Sequence, residues 1–311
     1  MSLHLSILDF DQPGHAVELA GAAERLGYRR FWLGEHHSEE QCNNPLLLGA
    51  LLAAATRELR LGSGGVCLFY QSPTRIAEDA RLIEFLVPDR FDLGVTRGLN
   101  NQLPWQQAAL LDGRDAPTSE SFASRLRELH GLVTRRFPAG HPLRGLPSLL
   151  GEGPPLWVLG LSSGSARLAG QIGSGFCYSL HHAAQRIDGP EVVEAYRRGF
   201  IPSPEFPEPA ALLVVSGICA PTETQARATF DRALAKLPSG DLEKIGYRNF
   251  IIGSPERWGE RLPELAAAYG VDEVLVLDLL TGELSERLEM YSLLARRFGL
   301  PPRTDSRGES A

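Results

Sequence analysis

The chain has 311 residues, 43% of them hydrophobic, which is ample for a large buried core and is a length at which α/β barrels form one unit. Its formal net charge of −7 argues against nucleic acid and anionic membranes as partners, because both are held by clustered Lys and Arg. Cys42, Cys67, Cys177 and Cys219 are far apart and form no C-x-x-C pair, which disfavours a zinc site or disulfide framework and fits a reducing cytoplasm. The opening LHLSILDF lacks a signal-peptide pattern and no apolar run approaches a bilayer span, so a soluble cytoplasmic protein is expected.

Short apolar segments alternate with helical patterns along the chain. The first strand is LHLSILDF from Leu3, followed by a helix whose stripe is Ala16, Leu19, Ala20, Ala23 and Leu26, closed by Gly27. RFWLGEH from Arg30 and LRLGSGGV from Leu59 are the second and third strands. After the third, Ser72 is a candidate N-cap with Pro73 in the first turn, Ile76, Ala80 and Ile83 give the buried side, and Pro88 ends the helix. FDLGVTRG from Phe91 is the fourth strand. Two Pro- and Gly-bearing stretches after it, Asn100 to Pro117 and the run from Phe137, read as loops with one helix between them. PLWVLGLS from Pro155, GFCYSLH from Gly175, ALLVVSGIC from Ala211 and EVLVLDLL from Glu273 bring the strand count to eight. The remaining helices are Ser163 to Ile172, Thr222 to Lys236, Ser254 to Tyr269 and Leu284 to Phe298.

Strands that are nearly continuous in apolar residues suit a parallel sheet covered on both faces. Eight strand–helix units favour a closed (β/α)8 TIM barrel over an open sheet, and no G-x-G-x-x-G follows the first strand. The expected organisation is one barrel domain with loop insertions over residues 1–300 and a disordered tail over 301–311, which has no apolar anchor.

Active sites of such barrels lie at the C-terminal strand ends. That rule collects Asp9, Glu35-His36-His37, Gly64-Gly65-Val66-Cys67, Thr96-Arg97-Gly98, Ser162-Ser163-Gly164-Ser165 and His181-His182. Serines at the first turn of a helix can cradle a phosphate or merely cap it, and Arg97 on the adjoining strand end favours the cradle. The alternative for Arg97 is an ion pair with Asp92 or Asp112. Glycines at 62, 64 and 65 mean either a bulge or the close approach of a planar ring. Glu35, His36 and His37 admit a metal cluster, a catalytic imidazole or a polar strand end. Alternation along a strand would put the two histidines on opposite faces, which makes a shared metal awkward and leaves His36 inward.

The pieces EHH, GSGGV, RFDLGVTRGL, LGLSSGSARLA and IIGSPERWGERLPELAAAYGVDEVLVL, in this order over most of the chain, resemble the bacterial luciferase-like flavin monooxygenases. The resemblance implies an enzyme that takes reduced FMN and O2, through a C4a-peroxyflavin, to oxygenate a small organic substrate. It also implies a separate flavin reductase and a homodimer formed through helices near the second and third strands. Carried onto this chain, His36 is the acid/base candidate, and Arg97, Ser162, Ser163 and Ser165 belong to the phosphate site. Gly64 and Gly65 match a pair joined by a cis peptide beneath the flavin ring. The run CLFYQSP departs from relatives that carry a proline and a histidine there, so Phe69 and Tyr70, with Trp105 and His181, are expected to line an apolar or aromatic substrate site. Two alternatives stay open: hydride transfer with the deazaflavin F420 on the same barrel, and a non-catalytic flavin binder.

Overall fold

The computed structural model describes residues 3–9, 13–37, 41–98, 104–116, 118–145, 151–183, 189–236, 249–278 and 283–303. Its barrel strands are β1 (His4–Asp9), β2 (Arg30–Leu33), β3 (Arg60–Cys67), β4 (Phe91–Thr96), β5 (Leu156–Gly160), β6 (Gly175–Ser179), β7 (Ala211–Cys219) and, after the short β8 (Ile251–Gly253), β9 (Glu273–Leu277). The hydrogen-bonded order β6-β5-β4-β3-β2-β1-β9-β7 closes through a β6–β7 pairing, and every pairing is parallel. Eight strands therefore close the barrel, as the sequence predicts. The ninth, β8, extends β7 at Gly217–Cys219 and escaped prediction because three residues carry no periodicity.

Period-two alternation divides β1, β2, β5, β6, β7 and β9 between two cores. Ile7, Phe31, Leu33, Val158, Phe176, Leu213 and Val274 join one apolar cluster with the helices. Their neighbours Leu8, Trp32, Trp157, Cys177, Leu212 and Leu275 form a second cluster, the packed barrel interior.

Charged residues fill the interior near the strand starts. Arg30 donates from Nε to Glu273 at 2.7 Å and from Nη1 to Asp92 at 2.6 Å. Asp92 also accepts from Arg60, Trp32 and Trp157, and Ser6 donates to Glu273 at 2.6 Å. Burial alone would raise the Asp92 carboxyl, but Arg30 and Arg60 outweigh it and hold it below its usual range.

The outer ring contains α1 (Ala16–Arg25), α2 (Pro45–Ala55), α3 (Pro73–Leu86), α4 (Pro104–Leu111), α5 (Ser119–Thr134), α6 (Ser163–Gln171), α7 (Gly189–Arg198), α8 (Glu223–Lys236), α9 (Pro255–Tyr269) and α10 (Leu284–Phe298). The predicted caps hold: the Ser72 side chain accepts from the Arg75 N–H at 3.1 Å, with Pro73 at the first position. Gly27, at φ 85°, follows α1 and passes the backbone of Pro301 too closely for any side chain. α10 is tied back to β1 by Arg287, which donates to Asp9 at 3.0 Å and to the Asp278 carbonyl at 3.3 Å.

Three helices differ from the sequence reading. α2 is apolar around its whole circumference, so it shows no stripe, although Asn44 caps it by accepting from the Leu47 N–H at 3.0 Å. α4 lies inside the stretch read as loop between 100 and 117, and α7 follows β6 where none was expected. Among the described residues of the other predicted loop, a single-turn 3-10 helix, Pro142–Gly145, forms, and 146–150 lie outside them. Residues 301–303 run beside α1, with the Arg303 N–H donating to the Arg25 carbonyl at 3.0 Å, and 304–311 lie outside the described residues.

Candidate active site

A cavity of about 280 Å³ opens at the C-terminal strand ends. In barrel order its polar wall follows β2, β3, β4, β5 and β6, five consecutive strands. Gly64, Gly65, Arg97, Ser162, Ser165, Tyr70, His36 and His181, gathered from separate stretches of sequence, all reach it.

The floor is built by β3 and β4. Ser63 Oγ donates to the Gly94 carbonyl at 2.8 Å and accepts the Gly94 N–H at 3.0 Å, where the register shifts between Ser63 and Val66. The Gly64–Gly65 peptide is cis, as the resemblance implies. A Cβ at Gly64 would stand 2.6 Å from Leu8 Cδ1, and one at Gly65 would stand 2.9 Å from the Gly94 carbonyl oxygen. The bulge is therefore present, and the barrel's own atoms crowd this backbone, a local cause that does not require a planar ring.

The strand bearing Glu35, His36 and His37 ends at Leu33, before the histidines, so alternation does not decide their directions. The segment is instead pinned by its backbone, with the Gly34 N–H on the Asp9 carbonyl at 2.8 Å and the His36 N–H on the Cys42 carbonyl at 2.7 Å. Glu35 turns into the protein, accepting the Cys67 N–H at 2.7 Å and facing His37 Nε2 at 2.7 Å. His37 meets the Tyr70 ring edge-on at 5.2 Å, and Gln106 of α4 donates to its carbonyl at 3.1 Å. His36 is left on the cavity wall. Among the described residues no three His, Cys, Asp or Glu side chains are placed to hold a metal ion.

Arg97 follows β4 with its guanidinium 5.6 Å over the Phe122 ring and Nη2 3.3 Å from Ser119 Oγ. Asp92, one alternative partner, belongs to the Arg30 and Arg60 network instead. On the adjoining strand end, Ser162 caps α6 by accepting the Ser165 N–H at 3.2 Å, and Ser165 Oγ donates to the Ser162 carbonyl at 2.9 Å. Capping and cavity lining therefore coexist, since both serines remain on the wall. An exposed guanidinium beside a helix N-terminus is a donor set suited to a phosphate. Ser163 occupies the first turn of α6 but is not on the wall.

After β6, a 3-10 turn (Leu180–His182) brings the His181 and His182 rings together, tilted by 42° with centroids 3.9 Å apart, and both line the cavity. Burial, then repulsion from the His182 and His37 rings, pushes the His36 imidazole down to about 4 from an ordinary 6.5. Burial likewise drives His181 well below its usual value and lowers His182.

Phe69 and Trp105, expected to wall the pocket, lie elsewhere. Phe69 is buried in the outer core beneath the Arg125 guanidinium, because Arg125 ties down the turn after β3 through the Leu68 and Gln71 carbonyls. Trp105 is 67% exposed on α4. Sequence reasoning missed Phe122 of α5 and Glu35 as a brace. Phe122 could not be found by strand-end logic because it comes from the insertion after β4, whereas the burial of a lone carboxylate at a strand end was a usable signal.

A family model described as luciferase-like monooxygenase matches residues 4–283. The Bacillus subtilis (strain 168) protein YceB is 33% identical over 95% of this chain and 99% of its own length. A luciferase-like monooxygenase of Escherichia coli (strain K12) is 32% identical over 90% of this chain and 81% of its own. Among solved structures, apo-MsnO8 superposes with a TM-score of 0.82 at 33% identity, covering 97% of this chain and all of that one.

Proposed function

The chain belongs to the luciferase-like monooxygenase family, and from that premise we propose that it binds reduced FMN in this cavity and uses O2 to oxygenate a small organic substrate. The observation that carries the reading is the joining, on one wall, of a guanidinium, the start of a helix and a histidine. Arg97 and the Ser162–Ser165 turn of α6 would hold the phosphate, with Ser163 in the same turn, and Gly64-Gly65 would underlie the ring. When bound, reduced FMN would supply the electrons that activate oxygen.

This chain's residues do the rest. His36 is neutral around pH 7, so its ring can accept a hydrogen bond or a transient proton at the reacting end of the cavity. Glu35 holds His37 and the Cys67 N–H, fixing the segment that presents His36. Leu8, Tyr70, Phe122 and Leu159 give the wall an apolar share that limits water near the reacting atoms.

Four buried free thiols, Cys42, Cys67, Cys177 and Cys219, suit a cytoplasmic enzyme, and among the described residues no helix is long and apolar enough to cross a membrane. A flavin reductase would supply the reduced cofactor, and the functional unit would be a homodimer within which residues 1–300 form one barrel domain.

Anaerobic loading with reduced FMN, followed by admission of oxygen, tests the reading. Oxygen uptake should couple to substrate oxygenation in the wild type, and His36→Ala should reduce the coupled rate by about 100-fold. Hydride transfer with F420 but none of this with FMN, or tight FMN binding without turnover, would replace the monooxygenase reading.

A further inference from the structure

The wall after β6 carries a polar side chain that the proton transfer above leaves unused. His181 is 3% exposed and lines the cavity, and neither of its ring nitrogens meets a hydrogen-bond partner among the described residues. A neutral imidazole offers one N–H donor and one acceptor nitrogen, and buried polar atoms of this kind are nearly always satisfied. The tilted His182 ring at 3.9 Å supplies contact but no hydrogen bond.

The electrostatics around His181 are equally specific. Protonating it is opposed by burial and by the His182 and His36 rings. Glu35, the carboxylate on the wall, already faces His37 and the Cys67 N–H. Among the described residues of the wall the one fixed cation is Arg97, which follows β4, two strands from β6 in barrel order. A carboxylate or sulfonate placed against His181 would lose its hydration and gain no counter-charge, a desolvation that a single neutral donor does not offset.

We propose that His181 is the specificity-determining residue of this cavity. Its N–H donates to an uncharged acceptor at the reacting end of the substrate, such as a carbonyl, amide or ether oxygen or a thioether sulfur, and the surrounding wall rejects an anionic group there. What is then done to that substrate rests on the monooxygenase reading; the binding preference itself does not.

Calorimetric titration of methyl butyl ketone and of hexanoate, into the protein alone and into protein saturated with oxidised FMN, separates the two. With FMN bound, the ketone should bind about tenfold more tightly than the carboxylate of similar size. His181→Phe, which keeps an aromatic ring but has no nitrogen, should lower ketone affinity by about tenfold, and His181→Asn, which keeps a donor, should recover part of it. In the FMN-loaded protein, where the Arg97 corner is filled, hexanoate binding as tightly as the ketone would overturn the proposal, and so would no ketone binding or a His181→Phe protein that matches the wild type. Failure of FMN to bind would sink the flavin reading alone, because the ketone affinities of the wild type, His181→Phe and His181→Asn on the unloaded protein still decide the role of His181.

Discussion

His36 sits where burial and neighbouring imidazoles oppose a charge on its ring, and this has a consequence for the whole protein's acid sensitivity. Its folded value of about 4 lies below the ordinary 6.5, so between these values the unfolded chain binds more protons than the folded one. The stability contributed by neutral His36 is therefore fully present above pH 6.5 and is lost as pH falls toward 4. Denaturant unfolding across that window should show a steeper loss for the wild type than for His36→Phe, and the His36 ring resonance should titrate near 4. A midpoint near 6.5 would contradict this. Individual residues at strand ends were legible from sequence because a barrel gathers them by rule, which is how His36, Arg97 and Ser162 were singled out. Phe69 and Trp105 were not, since which way a loop side chain turns depends on partners such as Arg125, 56 positions away from Phe69 in sequence.

The junction of β3 with β4 determines the cavity floor. Gly65 has no room for a methyl group because the Gly94 carbonyl oxygen, a backbone atom, would stand 2.9 Å from it. Gly65→Ala should therefore destabilise the fold by about 2 kcal/mol, the usual range for overpacking against atoms that cannot rotate away. Urea unfolding of the variant measures it, and a midpoint equal to wild type would show that the floor yields. The glycine run itself was legible as a bulge or a close approach. The crowding agents, Leu8, Trp32 and Gly94, were not, because they come from β1, β2 and β4. Strands and striped helices were readable from period alone, as α10 shows with both ends as predicted. α2 was invisible for the opposite reason, since apolar residues on every side give no period to detect.

The lack of a stripe on α2 also bears on assembly. Leu47 and Leu51 of α2 are 62% and 58% exposed, and Leu82, Phe85 and Leu86 of the next helix, α3, are 46%, 56% and 65% exposed. Five large apolar side chains on adjacent helices form a patch of the kind that solvent rarely meets in a monomer. The proposed homodimer would cover this face, and sedimentation should then give a dimer that Leu51→Glu with Phe85→Glu converts to monomer. A wild-type monomer at micromolar concentration would leave the patch to another partner. The barrel as a whole was the most legible feature, because eight apolar strands alternating with helices admit few closed arrangements. Its two cores follow from the period of two within β1, β2, β5, β6, β7 and β9. The buried network of Arg30, Asp92 and Glu273 was illegible, as its members lie up to 243 positions apart.

In the proposed complex the FMN phosphate would be held between Arg97 and the start of α6. Fluorescence titration of oxidised FMN against riboflavin, which differs from it only in lacking the phosphate, isolates that contact. The wild type should bind FMN about tenfold or more tightly than riboflavin, and Arg97→Met should close the gap. Equal affinity for the two flavins, or an Arg97→Met protein that still prefers FMN to the same degree, would contradict it.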